Sequence, residues 1–417
     1  MTEHTNTPEL RFPEFKDEWK LQKLGNLAQF SKGKSLSKKD LNINGKPCIL
    51  YGELYTKYGA ILNKVYSKTS TQNDSLVFSK RNQILIPSSG ETDIDIATAT
   101  AIDTDVKIAI GGDLNIITPI NSDGRFISLY INGKGKYNLA KYAQGKSVVH
   151  LYNSDIKKLN FYLPTNMAEQ KKIGDFFSKL DRQIELEEEK LELLEQQKRG
   201  YMQKIFSQDL RFKDNNGNSY LQWKEFNFFD VLDKIIDFRG RTPKKLDMEW
   251  SSEGYLALSA INVKKGYIDF NVEAKYGDEK LYKKWMNKNE LQKGQVLFTT
   301  EAPMGNVAQV PDNRGYILSQ RTIAFNTNKK ITNDFLASLL STKKVYNELL
   351  RLSSGATAKG VSQKTLKSLY ITIPLSIEEQ QKIGNFFNKI DNLIELQTNK
   401  MELLKQRKQG LLQKMFV

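Results

Sequence analysis

One segment of 45 residues occurs twice in this chain, and it limits the possible folds more than any other feature of the sequence. Residues 163–207 align without a gap to residues 373–417 when the sequence is shifted by 210 positions, and 23 of the 45 positions are identical. Unrelated sequences match at only a few positions over such a length. The chain therefore contains an internal duplication.

Both copies have the heptad spacing of a coiled coil, which predicts two long helices with one apolar stripe each. The stripe comprises Ile173, Phe177, Leu180, Ile184, Leu191 and Leu194 in the first copy, and Ile383, Phe387, Ile390, Ile394, Met401 and Leu404 in the second. Polar residues interrupt the stripes at equivalent places, Glu187 and Lys198 against Gln397 and Lys408, which indicates a fixed register. Each helix would be about 60 Å long. We predict that the two copies pair with each other as an antiparallel coiled coil.

The duplication predicts four segments: a first domain at 1–162, a helix at 163–207, a second domain at 208–372 and a helix at 373–417. Both domains contain short apolar runs typical of strands, such as 83–87 and 295–299, followed by a predicted helix near 125 and near 334. The order of elements recurs although identity is low, so we predict two related α/β domains. Leu10-Arg11-Phe12 echoes Leu210-Arg211-Phe212, which extends the repeat to the chain start and indicates an approximate internal two-fold.

The positive charge of the chain lies in the two predicted domains. The formal net charge is +15, and residues 10–162 and 208–372 each carry eight more basic than acidic residues, whereas the helical segments are nearly neutral. A basic excess in two compact domains is typical of proteins that bind a polyanion, most simply DNA or RNA. A membrane surface is the weaker alternative.

The sequence lacks the motifs of the enzymes that act on nucleic acids. One cysteine and two histidines hardly suffice for a zinc site or a Cys/His nucleophile. Gly33-Lys34-Ser35 and Gly145-Lys146-Ser147 lack the first glycine of a phosphate-binding loop, and the Asn/Asp-Pro-Pro-aromatic motif of adenine methyltransferases and a metal-nuclease acidic pattern are missing. No apolar stretch is long enough to span a membrane. We therefore expect a cytoplasmic, non-catalytic chain that binds no metal or cofactor itself.

Polar and basic clusters in predicted loops are the candidate DNA contacts, because such side chains contact phosphates or base edges. In the first domain they are Lys32, Lys34, Ser35, Lys57, Ser88, Ser89, Lys146 and His150, and in the second they are Arg239, Arg241, Lys244, Thr300, Gln320, Arg321, Lys359 and Lys364. The arginines are the strongest candidates, since a guanidinium matches guanine with two hydrogen bonds.

The repeated pattern Glu-Gln-x-Lys-Ile-Gly-x-Phe-Phe after a leucine- or isoleucine-proline resembles the specificity subunit of type I restriction-modification systems, over essentially the whole chain. Phe238-Arg-Gly-Arg-Thr-Pro243 and Leu318-Ser-Gln-Arg321 also resemble stretches of that family's target-recognition domains. The resemblance implies a subunit that selects a bipartite sequence in double-stranded DNA. It also implies two modification subunits that use S-adenosylmethionine, and restriction subunits that use ATP and Mg²⁺. Four residues outside the apolar stripe are candidate docking positions for the modification subunits: Phe176 and Leu193, with Phe386 and Leu403.

Two other classes of protein remain open from the sequence. One is a DNA methyltransferase or nuclease with a degenerate active site, which would bind S-adenosylmethionine or cut DNA unaided. The other is a coiled-coil assembly protein, which would be indifferent to DNA. For the docking positions, packing of each side chain against the adjacent domain is an equally good interpretation.

Overall fold

The structure is a computed structural model that describes residues 6–34, 36–72, 75–272, 274–353 and 360–417. The chain forms two compact units. Unit 1 comprises residues 1–189 and 399–417, and unit 2 comprises residues 190–398. Each unit therefore contains one mixed α/β domain together with the first half of one long helix and the second half of the other.

The domain of unit 1 is built mainly from short strands. Its strands are β1 (Lys20–Lys23), β2 (Ala28–Lys32), β3 (Leu41–Ile49), β4 (Ser67–Thr69), β5 (Val77–Phe78), β6 (Ile84–Pro87), β7 (Ser89–Gly90), β8 (Thr100–Ala101), β9 (Ala109–Ile110), β10 (Leu114–Pro119), β11 (Val149–His150) and β12 (Asn160–Leu163). Its helices are α1 (Leu24–Leu27), α2 (Tyr51–Thr56), α3 (Asp93–Ile96), α4 (Gly124–Asn132), α5 (Lys136–Ala140), α6 (Asn153–Ile156) and the first half of α7 (Met167–Phe206).

The domain of unit 2 has a related set of elements. Its strands are β13 (Lys224–Asn227), β14 (Leu232–Asp237), β15 (Tyr255–Leu258), β16 (Tyr276–Gly277), β17 (Val296–Thr299), β18 (Val307–Gln309), β19 (Tyr316–Leu318), β20 (Thr322–Thr327) and β21 (Tyr370–Ile373). Its helices are α8 (Glu279–Met286), α9 (Asn333–Leu340), α10 (Lys343–Leu352), α11 (Gln363–Lys367) and the first half of α12 (Ile377–Lys414).

The central sheets of the two units have the same topology. Unit 1 has a four-stranded antiparallel sheet in the order β2-β10-β6-β8, and unit 2 has one in the order β14-β20-β17-β18. A two-stranded ribbon, β1-β12 or β13-β21, leads from each domain into its long helix. The buried strands β6 and β17 lie where the apolar runs predict them. The prediction of two related α/β domains is confirmed.

The outer sheet is where the two domains differ most. In unit 1 the order is β4-β3-β9-β5, and in unit 2 a three-stranded sheet has the order β16-β15-β19. Each contains one parallel pair, β3 with β9 and β15 with β19. The duplication has therefore kept the central sheet and allowed its surroundings to diverge.

Polar side chains start the helices that pack on the central sheets. The side chain of Asp123 accepts a hydrogen bond from the Arg125 N–H at the start of α4, and Thr332 does the same for the Phe335 N–H at the start of α9. These bonds satisfy backbone donors that a helix start leaves unpaired. Both helices occur where the sequence predicts them.

The long helices run antiparallel within each unit. In unit 1, Lys408 Nζ lies 2.5 Å from Asp181 Oδ1 and Lys405 Nζ lies 2.6 Å from Glu188 Oε1, so positions rise along one helix as they fall along the other. In unit 2, Lys198 pairs with Asp391. All twelve predicted stripe residues are buried or half-buried. The predicted coiled coil and its antiparallel direction are confirmed.

Polar residues in the stripe explain why its register is fixed. Lys408 with Asp181 in unit 1 and Lys198 with Asp391 in unit 2 are the same ion pair, shifted by 210 positions. The polar interruption Glu187 pairs with Lys400. A slip by one heptad would separate these charges and leave them partly buried without partners, which is unfavourable.

Candidate nucleic-acid interface and helix scaffold

A buried carboxylate holds the start of each long helix against its domain. In unit 1, Glu169 is 1% exposed and accepts hydrogen bonds from Arg11 Nε at 2.7 Å, Arg11 Nη2 at 2.8 Å and Trp19 Nε1 at 3.2 Å. Such a two-pronged arginine–carboxylate pair fixes orientation as well as distance. We call this arrangement the clamp of unit 1.

Unit 2 repeats the clamp with equivalent residues. Glu379 is fully buried and accepts from Arg211 Nε at 3.0 Å, Arg211 Nη2 at 2.9 Å and Trp223 Nε1 at 3.2 Å. The echo of Leu10-Arg11-Phe12 in Leu210-Arg211-Phe212 therefore reflects a shared contact. Both arginines reach a helix more than 150 residues further along the chain.

The glutamine that follows each clamp carboxylate ties the helix to the domain backbone. Gln170 Oε1 accepts from the Asp123 N–H at 2.9 Å, and its Nε2 donates to the Pro164 carbonyl at 2.8 Å. Gln380 makes the same two kinds of bond, to the Thr332 N–H and the Pro374 carbonyl. The Glu-Gln motif thus positions the domain on the helix and carries no chemistry of its own.

The beginning of the described chain packs against the end of α12 in unit 1. The Leu10 N–H donates to the Lys414 carbonyl at 2.9 Å, as the Leu210 N–H donates to the Lys204 carbonyl at 3.0 Å in unit 2. Phe416 lies in the core of unit 1 against Trp19. The same junction is therefore made by separate chain segments in unit 1 and by continuous chain in unit 2.

Most of the candidate DNA contacts have side chains that reach solvent. Those exposed are Lys32, Lys34, Lys57, Lys146, Lys244, Gln320, Arg321 and Lys364, and those half-buried are Ser89, His150, Arg239 and Arg241. Ser35 and Lys359 lie outside the described residues. The assignment of these residues to DNA stays a prediction.

Two candidates are corrected by their burial. Ser88 is 5% exposed and Thr300 is 1% exposed. Their backbones bridge other loops, and Thr300 Oγ1 also faces the Arg321 carbonyl at 3.2 Å. Their hydroxyls are not presented to a ligand, so their role is to hold neighbouring residues in place. The sequence did not distinguish these two residues from exposed ones, because a small polar residue in a loop can either contact a ligand or support a neighbouring segment.

The two arginines of the Phe238–Pro243 stretch are engaged within unit 2. Arg239 donates to both carboxylate oxygens of Asp237 and, through Nη1, to the Val361 carbonyl at 3.1 Å. Burial opposes ionisation of Asp237, but hydrogen bonds from Arg239 and Gln363 lower the pKa of this carboxyl. Arg239 therefore holds a loop of unit 2 in place, and its assignment to DNA stays a prediction.

Arg241 is likewise held by its own unit. Its guanidinium carbon lies 4.3 Å from the centroid of the Phe238 ring, and its Nη1 donates to the Trp285 carbonyl near the end of α8. A cation over an aromatic face is attracted to it. Arg241 therefore links two segments of unit 2 and is not presented as a free donor.

An equivalent set of backbone bonds joins three loops in each unit, and we call this set the loop junction. In unit 1, the Ser88 N–H donates to the Asp113 carbonyl at 2.9 Å and the Leu151 N–H donates to the Ser88 carbonyl at 3.1 Å. In unit 2, the Thr300 N–H donates to the Arg321 carbonyl at 2.8 Å and the Val361 N–H donates to the Thr300 carbonyl at 2.9 Å.

Different side chains stand at the two loop junctions. In unit 1, Ser89 Oγ and His150 Nδ1 are 3.2 Å apart, and the His150 ring lies roughly parallel to that of Tyr152. In unit 2, Arg321 Nε lies 3.1 Å from Glu301 Oε1, and both side chains are about half exposed. Glu301 and Tyr152 were not among the candidates chosen from the polar and basic clusters of the predicted loops.

The candidate docking positions fall into two groups. Phe176 packs edge-on against Phe12 with centroids 5.9 Å apart, and Phe386 packs similarly against Phe212 at 5.8 Å, so both aromatic side chains are half-buried in their own units. Leu193 and Leu403 are 53% and 65% exposed. The packing interpretation therefore holds for the phenylalanines, and the leucines remain available.

Two further exposed leucines join this second group. Leu186 is 48% exposed and Leu396 is 65% exposed, and they are related by the same shift of 210 positions. By the register of the Asp181–Lys408 pair, Leu186 lies level with Leu403 in unit 1, and Leu193 lies level with Leu396 in unit 2. Each unit therefore presents one equivalent pair of exposed leucines. The sequence predicts the antiparallel direction but not the register, so these level pairs become visible only from the ion pairs.

Among the described residues, no group of three or more His, Cys, Asp or Glu side chains is arranged to hold a metal ion. Burial, aided by the charge of Glu53, raises the pKa of the Cys48 thiol to about 11. This thiol therefore stays protonated at neutral pH, in contrast to a catalytic cysteine. The helices of the described chain include none with the length and apolar character needed to cross a membrane.

Comparison with known proteins defines the class of this fold. The family model described as the type I restriction modification DNA specificity domain matches residues 16–196 and again residues 220–406. The chain therefore belongs to the family of type I DNA specificity proteins.

Individual relatives match over nearly the full chain. The chain is 23% identical to the type I restriction enzyme MjaVIII specificity subunit of Methanocaldococcus jannaschii, covering 97% of this chain and 92% of that protein. The crystal structure of the type I restriction-modification system S subunit from M. genitalium superposes with a TM-score of 0.66 at 17% identity, over 99% of both chains. A solved chain of a type I R-M system gives a TM-score of 0.51 at 13% identity, over 94% and 96%. These structures share the fold of this chain.

Proposed function

We propose that this chain reads a bipartite DNA sequence for a type I restriction-modification complex, with one half-site recognised by the domain of each unit. The observation that carries the proposal is the repeat of one fold with different loop side chains, since a shared fold with diverged loops suits two different half-sites. The excess of eight basic residues in each domain supplies attraction to the DNA backbone.

Exchange of one domain tests whether the two half-sites are read independently. Residues 208–372 lie between the end of α7 at Phe206 and the start of α12 at Ile377, so their replacement by the equivalent domain of a relative keeps both long helices. We expect one half of the methylated motif to change and the other half to remain. The matched control exchanges residues 20–162 and should change the opposite half.

Methylation mapping in cells that carry the modification subunits of the same system gives the readout. Cells without the chain should show no motif. A motif that changes in both halves after a single exchange would contradict independent reading, and an unmethylated genome with the unaltered chain would contradict the proposed function itself.

We further propose that each exposed leucine pair receives one modification subunit, giving two per chain. The pairs are Leu186 with Leu403 in unit 1 and Leu193 with Leu396 in unit 2, and their equivalence under the repeat favours two copies of one partner. Exposed apolar side chains at fixed spacing on a helix commonly mark such interfaces. Restriction subunits would join the resulting complex. S-adenosylmethionine, ATP and Mg²⁺ would bind to these partner subunits, which fits the missing nucleotide-loop and methyltransferase motifs in this chain.

Replacement of both leucines of one pair by aspartate should abolish the binding of one modification subunit only. We expect Leu186→Asp with Leu403→Asp to give a complex with one modification subunit on native mass spectrometry, and the same change at both pairs to give none. Leu221→Asp is the matched control, because Leu221 is 75% exposed but lies in the domain of unit 2. An unchanged complex after substitution of both pairs would exclude these residues as the docking surface.

A further inference from the structure

The loop junctions of the two units provide an internal comparison that points to individual specificity residues. The backbone bonds of Ser88 and Thr300 place the residue after each of them, Ser89 or Glu301, at the same position of the fold. The residue that accepts the Thr300 N–H is Arg321, and its equivalent in unit 1 is Asp113. The backbone arrangement is therefore retained while the polar side chains on it differ.

The backbone at Arg321 is held in an unusual conformation. Its φ angle is +62°, in the left-handed region that residues with a side chain rarely adopt. Two hydrogen bonds from Thr300, one from its N–H at 2.8 Å and one from its hydroxyl at 3.2 Å, hold the Arg321 carbonyl. A fixed backbone beneath a charged and exposed side chain is the arrangement expected where geometry must be set before a ligand arrives.

Glu301 orients the exposed guanidinium. Its carboxylate lies 3.1 Å from Arg321 Nε, and this contact restrains the guanidinium. Phosphates repel a carboxylate on a DNA-binding surface. Such a carboxylate is useful there when it orients a neighbouring cation or accepts a hydrogen bond from a cytosine amino group. Gly360, which faces Glu301 across an isolated backbone bridge, adds no side chain that would block approach.

We propose that the loop junction is the base-reading site of each unit, and that Arg321, oriented by Glu301, reads a guanine of the half-site bound by unit 2. Arginine recognises the O6 and N7 atoms of guanine in the major groove with two hydrogen bonds. In unit 1 the Ser89–His150 pair lies at the positions equivalent to Glu301 and Gly360, and this pair reads the other half-site. This inference rests on the proposed DNA-specificity function.

Substitution of Arg321 separates base reading from attraction to phosphate. Arg321→Lys keeps the positive charge and loses the fork, so affinity for unrelated DNA should stay within about two-fold. At one G·C position of one half-site, preference over A·T should fall by roughly 5- to 150-fold, the range for a two-bond contact. Arg321→Gly suits the left-handed backbone and should give the same loss of preference, which guards against an effect of misfolding.

Arg314 offers a matched control in the same unit. It is an exposed arginine paired with a neighbouring carboxylate, Asp312, at 2.9 Å, but it lies outside the loop junction. Arg314→Lys should leave the preference at every position unchanged. Glu301→Gln should reduce the preference at the Arg321 position only, by less than Arg321→Lys does.

The measurement is binding of the complex of this chain with its modification subunits to duplexes that carry each single base change, together with methylation mapping in cells. If the complex with the unaltered chain shows no sequence preference, the proposed function fails. If it shows a motif that Arg321→Lys and Arg321→Gly both leave intact at every position, the function stands and the assignment of Arg321 is overturned. A loss of base preference at one position of one half-site supports the assignment of Arg321.

Discussion

Removal of Arg11 from the clamp of unit 1 should destabilise that unit strongly. In Arg11→Met, the Glu169 carboxylate would keep only the Trp19 N–H as a partner, although it is 1% exposed. Breaking a buried ion pair by deleting one member costs about 3–5 kcal/mol, because the remaining charge is buried without compensation. For a unit of this size we expect the thermal midpoint to fall by roughly 6–20 °C.

Hydrogen exchange read by mass spectrometry assigns this loss to a unit. In Arg11→Met, amides of residues 20–163 that exchange only when unit 1 unfolds globally should exchange roughly 10²- to 10³-fold faster. This factor follows because about 1.4 kcal/mol corresponds to a factor of ten. Arg211→Met should move the effect to peptides from residues 224–373. Arg351→Met removes one member of the exposed Arg351–Glu348 pair and should leave the exchange of both sets of peptides unchanged.

A double substitution distinguishes the buried charge from lost packing. Arg11→Met with Glu169→Leu removes both charges, so the cost should fall to about 1–3 kcal/mol, which is the penalty of leaving the Trp19 N–H without an acceptor. The reasoning would be refuted if Arg11→Met alone cost less than about 1 kcal/mol, or if the double variant were as unstable as the sum of the single variants.

Two further predictions concern the helix pair. Burial outweighs the attraction of Lys408 and raises the pKa of the Asp181 carboxyl. The folded state therefore binds the carboxyl proton more tightly than the unfolded state does, and ionisation of Asp181 destabilises the fold. The free energy of unfolding should therefore fall as pH rises from the usual aspartate pKa of about 3.9 through the raised value. The thermal midpoint of Asp181→Asn should lose this part of the pH dependence. Insertion of seven residues after Lys190 and after Thr398, two sites that lie level in the register of the Asp181–Lys408 pair, should lengthen both helices by about 10 Å. The unread spacer should then increase by about three base pairs, with both half-sites retained in methylation mapping. A constant spacer would show that the helices do not set it.

The long helices could be predicted in detail because their signal is local and repeated. The apolar stripe of α7 and α12 needs only seven-residue spacing, and the duplication doubles the evidence. The matched polar interruptions Lys198 and Lys408 predicted a fixed register, whereas their partners Asp391 and Asp181 are known only from the structure. The clamp was not predicted, because Arg11 and Glu169 are far apart in sequence and their repeated motifs do not indicate that the two residues pair.

The candidate interface was predicted less well, since exposure in a loop depends on tertiary contacts. Arg239 and Arg241 have the composition of DNA contacts, yet Asp237 and the Trp285 carbonyl engage them. Conversely, Glu301 carries a negative charge that DNA repels, and it becomes relevant only because it lies beside Arg321. A comparison of the loop that follows β6 with the loop that follows β17 was the available signal, but low identity between the domains concealed their alignment.

The loop junction, which we propose as the base-reading site, would allow one fold to read two sequences. Its backbone bonds involve Ser88 and Thr300, whose side chains are buried, so the arrangement does not depend on the exposed residues beside them. Substitution of those exposed residues therefore changes the readout with little cost in folding free energy. The clamps are the opposite case, because Arg11 and Arg211 are bound to buried carboxylates and tolerate little change. The exposed loop side chains could therefore diverge after the duplication, while the contacts that join each domain to the helices stayed the same.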